Sequence, residues 1–172
     1  MNQTHAQLRN DDPARLLTLT DPEDPTLLHL AIGESTYTIL ISGAQTAGRY
    51  SLIDMSVPAA GGPPPHRHTF EEMFHVLDGE LEVTIRGESV VARPGQTVNI
   101  PALAPHAFRN PADTTARLLC LVAPAGLEDY FARFSDPVAS RTAPPPTLSD
   151  AELATRRERA GELAAQFGIE LV

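Results

Sequence analysis

Cysteine occurs once in these 172 residues, so no disulfide can close within the chain. That residue, Cys120, lies in the apolar run Arg117-Leu118-Leu119-Cys120-Leu121-Val122, where a buried structural thiol is expected rather than a nucleophile. Positive charge is also scarce. Thirteen basic residues against 22 acidic ones leave a formal charge of −9, which argues against nucleic acid or an anionic membrane as partner. No apolar run approaches the roughly 20 residues that span a bilayer. The opening Met1-Asn2-Gln3-Thr4-His5 lacks the charged-then-apolar pattern of a secretory signal, so a cytoplasmic protein is expected. What remains, at 42% hydrophobic and 20% charged, has the composition of one globular domain with a real core.

Residues 1–26 are polar and carry Pro13, Pro22 and Pro25, which reads as an irregular arm. Strand-like runs follow at short intervals: Leu28–Ile32, Tyr37–Ile41, Tyr50–Val57, Met73–Leu77, Leu81–Ile85, Val90–Ala92, Thr97–Ile100, His106–Arg109 and Arg117–Val122. Turn residues separate them. Asp78-Gly79 predicts a tight hairpin, and Arg86-Gly87 and Arg93-Pro94-Gly95 predict further turns. Many short strands with turns this close predict an all-β sandwich or barrel. After Pro124, Leu127, Tyr130, Phe131 and Phe134 fall at helical spacing. A proline-rich linker leads to Ser149 and Glu152, a capping box for a last helix that ends at Gly168. The expected organisation is an arm at 1–26, a β-barrel with a short trailing helix at 27–134, and a linker and packed helix at 135–172, all one domain.

The stretch from Gly62 to Gly79 carries the chemistry. If it were one strand, His66, His68 and Glu72 would project to one side. A second stretch, Gly95 to Asn110, brings His106. Imidazoles and a carboxylate buried together need a compensating charge, and a divalent metal supplies it. Glu71 competes with Glu72 for the carboxylate role, and parity with His68 favours Glu72. Three nitrogens and one carboxylate oxygen suit Fe, Mn, Ni, Co or Zn, and leave coordination positions open to water or substrate. Phe74 and Val76 share the face of Glu72, Phe108 shares that of His106, and Phe70 joins them if the link between motifs is extended. These side chains either line an apolar substrate pocket or fill the barrel. His75 and Met73 should face away, as should Arg109.

The two stretches resemble the two motifs of the cupins. His66-x-His68, Glu72 and Gly79 match the first motif, with its leading glycine one place off at Gly61 or Gly62. Gly95, Pro101, His106 and Asn110 match the second, but Leu103 stands where the family has glycine. The resemblance implies a jelly-roll barrel, the double-stranded β-helix, here with two C-terminal helices. It also implies a metal held by His66, His68, Glu72 and His106. Within the family the chain looks most like small quercetinase-type (flavonol dioxygenase-like) proteins, on Gly61–Pro65, Glu72-x-Phe74-x-Val76 and Pro124–Glu128. That likeness implies a metal-dependent oxygenase acting on a small phenolic or enolisable substrate, with Glu72 taking a proton. An apolar pocket would raise the pKa of Glu72, which suits a base, while a metal pulls it the other way. Alternatives are a metal-dependent isomerase, lyase or hydrolase, and a non-enzymatic binding module. Cupin barrels often pair, and the outward Met73, His75 and Leu77 suggest a homodimer, unless the C-terminal helix covers that face.

Overall fold

Alternation of apolar and polar residues is what turns this chain into two facing sheets. In the computed structural model, which describes residues 11–172, Ala116–Ala123 (β10) alternates buried and half-buried residues along its whole length. Glu71–Asp78 (β5) follows the same period, hiding Glu72, Phe74 and Val76. The first ten residues of the expected arm lie outside the described residues.

The remaining strands are His29–Ile32 (β1), Ser35–Ile41 (β2), Ser51–Val57 (β3), His66–His68 (β4), Leu81–Ile85 (β6), Glu88–Ala92 (β7), Thr97–Ile100 (β8), His106–Arg109 (β9), Asp136–Pro137 (β11) and Ile169–Leu171 (β12). A seven-stranded antiparallel sheet runs β11-β1-β2-β3-β10-β5-β8, and a five-stranded one runs β12-β4-β9-β6-β7. Side chains from both inner faces meet in one core that includes Ile53, Met55, Phe74, Val76, Leu81, Val83, Ile100, Phe108 and Leu118. Each fully buried side chain of this kind contributes about 1.5–3 kcal/mol. The expected all-β jelly-roll architecture with C-terminal helices is therefore what forms.

Two local expectations need correction. Asp78-Gly79 does not close a hairpin, because β5 and β6 belong to different sheets. Gly79, at φ 72°, instead carries the chain across, and a Cβ there would lie 2.8 Å from the Ala116 backbone. The true two-residue hairpin is Arg86-Gly87, both at positive φ, between β6 and β7. The stretch from His66 to Glu72 is likewise not one strand: it breaks at Thr69-Phe70, leaving β4 in one sheet and β5 in the other.

Two longer helices follow the barrel. Leu127–Ala132 (α2, counting the one-turn Gly43–Thr46 as α1) buries Leu127 and Tyr130. Asp150–Ala164 (α3) starts at the expected capping box, where the Ser149 and Glu152 side chains each accept a hydrogen bond from the other's backbone N–H. It packs on α2 and β12, burying Leu163 and Ala164. Gly168, at φ 68°, ends the helical segment, and the chain then adds β12 to the free edge of β4. No short-range pattern predicted β12, whose Ile169 pairs with His68 and Leu171 with His66.

Candidate metal centre

Strand pairing brings the four expected ligands together from three strands. His66 on β4 lies directly opposite His106 on β9, with ring centroids 4.3 Å apart. His68, two residues along β4, has its ring 4.8 Å from that of His106. Glu72 approaches from the facing sheet, where β5 places it between Val122 and Ile100. One ligand atom from each of the four can be chosen so that all lie within 4.8 Å of one another. The same-face argument thus selected the glutamate that joins this cluster, though for a different physical reason: the two sheets face each other across it. Glu71 turns outward, is exposed, and accepts a hydrogen bond from the Ala102 backbone at 3.3 Å.

Each imidazole is fixed by the same device. Nδ1 of His66 faces the Pro64 carbonyl at 2.9 Å, that of His68 the Phe70 carbonyl at 2.8 Å, and that of His106 the Ala104 carbonyl at 2.9 Å. A carbonyl can only accept, so each Nδ1 carries a proton, and a ring in its neutral form then presents the bare lone pair of Nε2. Second-partner anchoring of this kind orients histidines that ligate metals. His68 also stacks flat on Phe70, with centroids 3.9 Å apart and planes within 6°.

Those lone pairs point at an anion. Oε2 of Glu72 is 3.2 Å from Nε2 of His68 and 3.3 Å from Nε2 of His106. The His106 approach lacks hydrogen-bond alignment, and its Nε2 is a buried polar atom with no partner. Acceptors facing one another in a buried site repel unless a proton or a cation lies between them. Burial pushes the Glu72 carboxyl up, but the His106 and His68 rings, wherever they carry a proton toward it, outweigh burial and hold the group at about 2. Glu72 is therefore an anion, not the raised-pKa base that an apolar pocket by itself would make. His66 is pushed down by burial and by His106, which keeps its ring neutral. For His106, burial pulls the ring down, but Glu72 and the Ala104 carbonyl together hold it raised. Without a metal, a proton held between His106 and Glu72 can relieve the clash. With one, three neutral nitrogens and a carboxylate make a donor set that fits a divalent ion.

The apolar residues divide. Phe70 touches the site through His68. Phe74 and Val76 are fully buried, and Phe74 meets Phe108 edge to face at 4.9 Å within the core. A surface cleft of about 300 Å³ includes His106 on its wall, but its other walls are Pro65, Thr84, Arg86, Gly87, Pro105 and Ala107. Thr84 pairs with Ala107 on the outward side of the β6–β9 ladder, so this cleft lies behind the ligand atoms. His66 is the least buried of the four ligands. No arginine among the described residues is buried, and the chain contains no lysine. Arg109 turns outward to Glu82 and Arg67 to Glu170. His75 bonds Thr97 across the outer face at 2.9 Å.

One neighbour of the site escaped the sequence reading. Cys120 places its Sγ 3.5 Å from Oε1 of Glu72, and burial together with that carboxylate pushes its thiol pKa well up. Only the pairing of β10 with β5 reveals this contact. Leu103 adopts φ 67°, the left-handed conformation that glycine favours, and its backbone N–H donates to the His68 carbonyl at 2.7 Å. The missing motif glycine has left the turn intact.

Comparison with known proteins agrees with this geometry. Residues 53–122 match the family model described as Cupin domain. Quercetin 2,3-dioxygenase of Bacillus subtilis is 28% identical over 131 residues, 72% of this chain and 39% of that protein. Polyketide synthase CurC of Streptomyces cyaneus is 38% identical over 60 residues, 34% of this chain and 39% of that protein. The chain thus spans well under half the length of either relative. Among solved structures, the polyketide cyclase RemF from Streptomyces resistomycificus superposes with a TM-score of 0.55 at 21% identity, covering 83% of this chain and 94% of that one. An RmlC-like cupin from Shewanella frigidimarina superposes at 0.53 and 18% identity, over 62% and 91%. At these identities the two structures speak for the fold alone.

Proposed function

The barrel is a cupin domain resembling quercetinase-type proteins, and from that premise we propose that the chain is a metal-dependent oxygenase of a small apolar phenolic or enolisable compound. The observation that carries this reading is the cluster, buried except at His66, of three Nδ1-anchored imidazoles around an anionic Glu72. His66, His68, His106 and Oε2 of Glu72 would hold the metal. When bound, the metal would polarise a substrate oxygen and supply redox chemistry if it is Fe, Mn, Ni or Co.

The chain's own residues do the rest. Phe70 and the core side chains Phe74, Val76 and Phe108 exclude water and set an apolar surrounding. The absence of a buried arginine among the described residues, and of any lysine in the chain, disfavours phosphorylated substrates, which need such partners. Glu72 remains an anion at neutral pH and can accept a substrate proton only once displaced from its histidines. We read residues 27–134 as the catalytic barrel, and the arm and C-terminal helix as parts of the same domain.

A second reading, non-oxidative chemistry at the same centre as an isomerase, lyase or hydrolase, is favoured by the similarity to polyketide synthase CurC. Oxygen uptake separates the two. Protein reconstituted in turn with Fe, Mn, Ni, Co and Zn should consume oxygen on addition of a flavonol with at least one redox-active ion. Glu72→Ala should lose metal and oxygen uptake together, and Glu71→Ala should lose neither. Turnover of the probe without oxygen would overturn the oxygenase reading, and so would retention of metal and activity by Glu72→Ala.

A further inference from the structure

A carboxylate that offers one oxygen to a metal must be prevented from rotating, and the second oxygen of Glu72 has a partner that no motif contains. We propose that Cys120 is a positioning residue of the metal centre: its thiol donates to Oε1 of Glu72 and so directs Oε2 at His68 and His106. The proposal rests on the reading of Glu72 as a metal ligand.

Register places the thiol for this role. On β10, Val122 pairs with Glu72 and Cys120 with Phe74, so Cys120 is the diagonal neighbour of Glu72 on the inner face. Its Sγ lies 3.5 Å from Oε1, within hydrogen-bond range for sulfur, and Cys120 is fully buried. Oε2 points the other way, 3.2 Å from His68 Nε2 and 3.3 Å from His106 Nε2. A separate observation marks where the ligand belongs: the buried, partnerless Nε2 of His106 faces the same Oε2. Cys120 is not itself among the clustered ligand atoms. It stands behind the carboxylate, where the other oxygen would be a buried charged acceptor without a donor. Partners in this outer position commonly change metal affinity by 10–100-fold when removed.

Cobalt(II) titration of the metal-free full chain, followed by d–d absorption and chelator competition, tests the assignment. Cys120→Ala and Cys120→Val remove the donor, and valine keeps the volume. Both should bind cobalt about tenfold more weakly, with shifted d–d bands. Cys120→Ser keeps a donor and should return to within about threefold of the native affinity, with near-native bands. Native affinity and bands in the valine variant would overturn the proposal, as would a serine variant no better than valine. If the alanine variant fails to fold, the serine–valine comparison decides. Failure of the underlying site looks different: the native protein would take up no cobalt, or His106→Ala would bind it as tightly as native.

Discussion

Leu103 shows how much a single residue can be made to bear. Its φ of 67° places a β-carbon where left-handed backbone costs an L-residue roughly 1–2 kcal/mol. The side chain is 61% exposed, so little burial offsets that cost. The turn persists because the Leu103 N–H is needed at the His68 carbonyl and because His106 follows three residues later. Leu103→Gly should relieve the strain while adding freedom to the unfolded chain, for a net gain of up to about 1 kcal/mol. Urea unfolding would measure it, and metal content should be unchanged. A loss of stability would mean that the leucine side chain makes contacts worth more than its strain. His29 is the opposite case, a buried histidine fully explained by Thr38 and the Asp24 carbonyl.

At the scale of elements, the centre depends on how β4 is delivered to β9. The segment Gly61-Gly62-Pro63-Pro64-Pro65 runs against the end of β9, with the Asn110 N–H bonded to the Gly61 carbonyl at 2.9 Å. Gly62 has φ 151°, and a Cβ there would fall 2.0 Å from the Phe108 carbonyl oxygen. Of the two glycines that the motif left open, Gly62 is therefore the one that backbone conformation and close approach both require. Gly62→Ala must push this segment off β9. It should cost about 2 kcal/mol or more in chemical denaturation and lower metal retention, because His66 follows on the same segment. Wild-type stability in that variant would show that the approach of the two segments relaxes at no cost. The C-terminal strand secures the other edge of β4, with Arg67 and Glu170 paired across it.

At the scale of the molecule, one sheet face is left without a cover among the described residues. On the outer side of the seven-stranded sheet, Met73 and His75 are half-buried and Leu77 is exposed, beside the half-buried Leu119 and Leu121 of β10. The C-terminal helix, one candidate cover, packs instead on α2 and β12. An apolar face on a chain of net charge −9 is best covered by a second copy using the same patch. Light scattering should therefore give twice the chain mass of 18.5 kDa, and Met73→Arg should shift the mass toward one chain. A single-chain mass for the native protein over a wide concentration range would remove the homodimer.

The sequence by itself determined most of the strands, the helix cap at Ser149 and the donor set, because alternation, capping chemistry and ligand type are properties of neighbouring residues. His66, His68, Glu72 and His106 were legible as a group on those grounds, and Glu72 was preferred to Glu71. Only the tertiary structure decided that the chain changes sheets at Thr69-Phe70 and again at Gly79, so that Glu72 meets its histidines from the opposite wall. The same holds for β12 on the edge of β4, for the thiol of Cys120 behind the carboxylate, and for Phe74 and Val76 deep in the core. The physical reason is common to all of them. Which strands become neighbours depends on two sheets closing over a shared core. That closure is set by contacts between residues far apart in the chain, which no local period records.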